Sequence, residues 1–125
     1  MIIALLLTLT LPAAPAAAAS ERDDRLSVLA YLTVSVGNRL AVRCADRLPE
    51  YRQSFDTALA AWSSRHRDRI DRGRQPARAA AMDGTADLDA DLDRRDRASA
   101  GEFARMREED VRARCDAMLH ELRIE

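Results

Sequence analysis

Hydrophobic residues along this chain recur at spacings of three and four, the period of an amphipathic helix. Leu26, Leu29, Thr33, Val36, Leu40 and Cys44 mark one such face, and Val28, Leu32 and Val42 widen it. Asp23 or Asp24 can cap the helix they define, predicted over 24–47. The stretch 26–36 is apolar almost all round, so this helix should be the central, most buried one. Its β-branched residues leave a strand as the alternative.

Pro49 suits the first turn of a second helix, where a missing N–H costs nothing. Tyr51, Phe55, Leu59, Trp62, His66 and Ile70 then form a face at helical spacing, and Gly73 and Pro76 close the helix predicted over 49–73. The short link between these two helices makes them antiparallel neighbours.

Ser99-Ala100-Gly101-Glu102 has the form of a capping box, with Ser99 as N-cap of a last long helix over 100–124. Phe103, Met106, Val111, Cys115, Met118 and Leu122 mark its buried face. The connection between the second and last helices is partly helical. Ala77 to Met82 either prolongs the second helix or opens a new turn. A short helix over 86–98 would carry aspartates at its start and Arg94, Arg95 and Arg97 at its end, as the helix dipole favours. The predicted fold is therefore all-α, with three long helices and few residues that suggest sheets.

The first residues change the picture from fold to destination. Ile2 to Leu11 is an apolar run, followed by a small-residue tract ending Ala17-Ala18-Ala19. This is the h-region and cleavage site of a secretory signal peptide, cut near Ala19/Ser20. The run is shorter than the roughly 20 residues that a spanning helix needs. The reading gives a leader over 1–19 and a single helical domain over 20–125, periplasmic or secreted, with no stable membrane insertion after cleavage. The residue directly after the cut is Ser20 and not a cysteine that could accept a lipid.

An oxidising destination pairs Cys44 with Cys115. An up-down-up-down bundle with the last helix starting at Ser99 would leave Cys115 about 24 Å below the top, too far from Cys44. A last helix rising beside the first would leave it about 13 Å from the top, within reach after a modest offset. The disulfide thus predicts three long helices rather than four equal ones.

Charge excludes more than it assigns. Twenty arginines, with no lysine, face 21 acidic residues for a net charge of −1, which gives no global pull toward nucleic acid or membrane. Arg65, Arg67, Arg69, Arg72, Arg74 and Arg78 form a local cluster that could hold an anion, or else a solvated helix end. No aromatic residue is interleaved for stacking on bases. Asp87 to Asp93 resembles the start of a calcium loop, but Leu92 and Ala98 stand where glycine and glutamate are required. Oppositely charged blocks of this kind can pair within the chain or between two copies in a homodimer. His66 and His120 lie in no spacing that gathers three metal ligands, and no cofactor or catalytic motif is evident. Tyr51, Phe55 and Trp62 fit a core better than a set of binding anchors.

The pattern Cys44-x4-Pro49-x5-Phe55-x2-Ala58-x3-Trp62-x3-His66 resembles one found in small, exported, helical proteins of Gram-negative bacteria that carry no assigned function. The resemblance implies an envelope location and a helix–turn–helix start, and transfers no site residue. The sequence is thus read as an exported interaction or structural module with an unidentified protein partner. Its alternatives are a small hydrolase-like enzyme with carboxylates gathered by the fold, and an anion-surface binder using Arg65–Arg78.

Overall fold

A computed structural model describes residues 15–79 and 87–124. They form five helices: α1 (Pro15–Arg47), α2 (Tyr51–Arg65), α3 (Arg67–Ala79), α4 (Leu88–Arg105) and α5 (Glu108–Ile124). The all-α expectation holds, and no strand occurs among the described residues. Three long helices become five because two of them break.

The first break replaces the single helix over 49–73. α2 ends at His66, whose backbone leaves the helical region at φ −111° and ψ 15°. The His66 ring stacks on Trp62, with centroids 4.1 Å apart. Its Nδ1 lies 2.9 Å from the Trp62 carbonyl oxygen. α3 then runs past Gly73 and through Pro76, neither of which ends it. Pro49 sits in the turn before α2 and not in the helix.

The second break corrects the Ser99 N-cap. Ser99 lies inside α4, where its hydroxyl donates to the Asp96 carbonyl oxygen at 2.9 Å. The true cap is Asp87, whose carboxylate accepts from the Ala90 N–H at 3.1 Å. α4 thus fuses the short helix expected over 86–98 with the start of the helix expected over 100–124. It stops at Met106, where the backbone turns extended at ψ 146°. The Arg47 guanidinium donates there to the carbonyl oxygens of Phe103, which also accepts the Met106 N–H, and of Met106, at a helix end where carbonyls lack a full set of intrahelical partners.

α1 is the axis of the molecule and touches the four other helices. α2 descends beside it, so that Leu59 lies over Gly37. After the break α3 climbs in the direction of α1: Arg72 pairs with Asp23, Gly73 lies against Ser27, and Arg78 meets Asp89 near Tyr31. α4 climbs too, with Arg39 on Asp93 and Arg43 on Asp96. α5 descends, placing Cys115 at Cys44 and the Leu122 carbonyl at Arg65.

Cys44 and Cys115 are fully buried, with sulfurs 2.10 Å apart and α-carbons 6.1 Å apart, at disulfide distance. The pairing was anticipated, but its topological reason was not. The last helix descends beside α1 instead of rising. The break at Met106 restarts the helix near the top of the bundle, so Cys115 lies only about two turns into α5. Phe55, Val111 and Leu122 are, with the two cysteines, the largest fully buried side chains of the core.

The buried face of α1 also differs from the predicted one. Ser27, Ala30, Tyr31, Ser35, Cys44 and Ala45 are buried, while Leu26, Leu29 and Val36 are 40%, 56% and 45% exposed. Val42 is exposed as well. α3 approaches through Gly73, and only small α1 residues such as Ser27 and Ala30 permit that approach. Backbone proximity, and not side-chain apolarity, therefore chooses which face turns inward.

The leader's apolar run lies outside the described residues. The expected cut near Ala19/Ser20 falls in the first turns of α1, where residues 16–22 are exposed.

Candidate functional site

Of the exposed large apolar residues of α1, Leu26, Leu29 and Val36 share one face, with half-buried Thr33 and Leu40 in line, and Val42 lies off it. Leu26, Leu29, Thr33, Val36 and Leu40 follow one another at spacings of three and four, which is one stripe along a helix. That stripe is the floor of two clefts. The first, about 380 Å³, lies at the lower half of α1, where Leu26, Leu29 and Thr33 meet Trp62, Arg69 and Ile124. The second, about 430 Å³, lies at the upper half, where Val36 and Leu40 meet Leu92, Phe103 and Arg114. α5 borders both, with Glu121 and Ile124 at the first and Arg114 at the second.

Arg114 lies over the Phe103 ring, 5.9 Å from its centroid. Neither Arg69 nor Arg114 has a carboxylate within ion-pair distance among the described residues. Arg39 and Arg43, which also line the second cleft, are engaged: Arg39 donates to Asp93 at 2.9 Å, and Arg43 holds Asp96 through two bonds of 3.1 and 2.7 Å. Those bonds raise the Arg43 pKa above its ordinary value.

The arginine cluster that stood out in the sequence is dispersed. Arg65 donates to the Leu122 carbonyl oxygen, Arg72 pairs with Asp23, Arg74 with Asp71, and Arg78 with Asp89. Arg67 joins Arg69 without a carboxylate partner among the described residues. Arg65, Arg67, Arg69 and Arg72 still border a polar cleft of about 460 Å³ at the α2–α3 break. Arg74 and Arg78 do not line it.

The aspartates of 87–93 serve the fold. Asp87 caps α4, Asp89 receives Arg78 and the Tyr31 hydroxyl, Asp91 receives Arg94 and Arg95, and Asp93 receives Arg39. Arg94, followed by Arg95, holds the Asp91 carboxyl below its usual range. Its own backbone amide, followed by Arg112, does the same for Glu50. Both shifts favour the ionised form, opposite to the need of a general acid. Among the described residues no group of three His, Cys, Asp or Glu gathers as metal ligands. Nor is any described helix long and apolar enough to cross a membrane.

No protein-family model, characterised protein or solved structure matches this chain. The chemistry of the α1 face is therefore read from its own residues. The periodicity of Leu26, Leu29, Thr33, Val36 and Leu40 predicts a core face, and nothing in the sequence pattern joins Arg69 and Arg114 to it as one surface. The signal was present: a helix apolar nearly all round has more apolar surface than one core can cover.

Proposed function

We propose that this chain is an exported helical protein of the cell envelope whose working surface is the outward stripe of α1. The observation that carries the reading is the exposure of Leu26, Leu29 and Val36 in one line on the axial helix. Large apolar residues left uncovered in a continuous line mark interaction sites, whereas isolated ones do not. The rest of the fold supports such a surface. α1 is packed by four helices and tied at its upper end by the Cys44–Cys115 pair, so its outward face is held on a rigid element.

Export rests on the leader over 1–19 and on the resemblance to small Gram-negative exported proteins. A cysteine pair at bonding distance suits an oxidising compartment.

The test is site-specific photo-crosslinking in cells producing the full chain. A photoreactive residue at Leu29 or Val36 should give a discrete protein adduct in the envelope fraction. The same residue at Arg94, on an exposed part of α4, should give none. Absence of adducts from both stripe positions, or equal adducts from Arg94, would refute the surface. Fractionation of the same cells reports export independently, with a mature terminus at Ser20 as the expected result.

A further inference from the structure

α4 is held to the bundle differently from the other helices. It buries two of its 18 side chains, Leu88 at one end and Phe103 at the other, whereas α2 buries five and α5 four in shorter helices. α2, α3 and α5 each pack on α1 and on a second helix. α4 packs chiefly on α1, and meets α3 and α5 through the single side chains Arg78 and Arg114.

Between Leu88 and Phe103 the contact with α1 is charged. Arg39, Arg43 and Arg47 stand four residues apart on one face of α1 and reach across in register. Arg39 meets Asp93, Arg43 meets Asp96, and Arg47 donates to the carbonyl oxygens of Phe103 and Met106. Tyr31 and Arg78 both donate to Asp89. Among these arms lies the cleft of about 430 Å³ over Val36 and Leu40. Leu92, the one large apolar residue in this interval of α4, is half-buried and lines that cleft without filling it.

The helices on either side of α4 in the chain are fixed to α1 without its help. α3 lies against Ser27 through Gly73, and α5 carries Cys115 to Cys44. A segment with few buried apolar contacts opens at a lower free energy than the core around it.

We propose that α4 is an electrostatically latched strap. It lifts from α1 as one unit, pivoting on the Arg47 clasp at Met106, while α1, α2, α3 and α5 stay folded. Ionic strength governs the release, because Asp93 and Asp89, at 53% and 42% exposure, meet their arginines where salt screens them. The doubly bonded and less exposed Arg43–Asp96 pair is the firmest hold between the two helices. Lifting uncovers Tyr31, Arg39 and Arg43 and opens the cleft above Val36 and Leu40. This release is independent of the reading of α1 as a working surface.

Amide exchange of the oxidised full chain at fixed pH provides the test. A lone helix of this length is marginal in water, so the amides of a lifted α4 lose protection. Residues 92–102 should exchange at least about tenfold faster than the centres of α2 and α5. Raising sodium chloride from about 0.05 M to about 1 M, where the screening length falls to about 3 Å, should speed α4 at least about threefold. α2 and α5 should not respond. Arg43→Glu should speed α4 at least about tenfold, and adding Asp96→Arg should restore most of the protection.

Exchange of α4 at the rate of α2 and α5 would overturn the strap, since α4 would then open only with the whole chain. Salt-independent exchange of α4 would overturn it as well, and would assign the hold to Leu88 and Phe103. Failure of Asp96→Arg to restore protection would refute the charge pair as the latch. Should Arg43→Glu loosen every helix, the salt series on the parent chain decides between these outcomes by itself.

Discussion

Gly73 crosses α1 so closely that a β-carbon there would lie 1.8 Å from the Ser27 carbonyl oxygen. The obstacle is backbone, and α1 cannot yield without moving the axis of the bundle. Gly37 makes the contrast. A β-carbon there would meet only the ends of the Leu59 and Met118 side chains, at 3.0 Å.

Gly73→Ala should therefore destabilise the protein by about 2 kcal/mol, since overpacking outweighs the roughly 1 kcal/mol gained in helix propensity. Gly37→Ala should stay within about 1 kcal/mol of the parent, because flexible side chains can rotate away and propensity offsets the remainder. Thermal unfolding of the two variants side by side checks the ordering. Equal melting temperatures would refute the close α1–α3 crossing.

The cysteine pair closes a loop of 71 residues, for which chain entropy gives a stabilisation of about 4 kcal/mol. The double variant Cys44→Ala, Cys115→Ala should lose most of that figure, with a lower denaturant midpoint. Intact oxidised protein should resist alkylation until it is both unfolded and reduced, because both residues are fully buried. Ready alkylation of the native oxidised chain would contradict the pairing.

The pair also shows how much of this fold was legible. The inward faces of Cys44, Phe55, Trp62, Cys115, Val111 and Leu122 follow from periodicity alone, and the cysteine pairing from an expected oxidising destination. The breaks do not. Ser99 and Glu102 satisfy the capping-box pattern, yet local capping is outweighed by Asp87 at a competing start and by Arg47 clasping the chain at Met106, contacts far apart in sequence. The α1 stripe was visible as a periodicity but not as a surface. Which face of a two-sided apolar helix turns inward depends on Gly73, a residue on another element.

Tyr51 donates its hydroxyl to Asp116 across 2.6 Å, and burial, reinforced by that carboxylate, raises the Tyr51 pKa above 10.0. The folded chain holds this proton more tightly than the unfolded chain does. The associated stability is therefore complete below pH 10 and falls as pH rises through the folded value. Tyr51→Phe should reduce stability at neutral pH by about 1 kcal/mol. The variant should also show a shallower loss above pH 10 than the parent, measured by urea denaturation at stepped pH. Parallel pH profiles for parent and variant would show that Tyr51 does not carry this dependence.

Arg47 joins the end of α1 to the end of α4 by donating to the carbonyl oxygens of Phe103 and Met106. Both acceptors lie where α4 stops, and the stop restarts the chain as α5 close enough for Cys115 to reach Cys44. Arg47→Ala should cost about 2 kcal/mol, because two charge-assisted bonds to carbonyls at the helix end are lost. Arg47→Lys should recover only part of this, since one ammonium group does not match the planar fork of the guanidinium. Amide exchange should speed up first at residues 103–111 in both variants, before any change in α2. Uniform acceleration along the whole chain would mean that Arg47 stabilises the bundle generally and does not set the break.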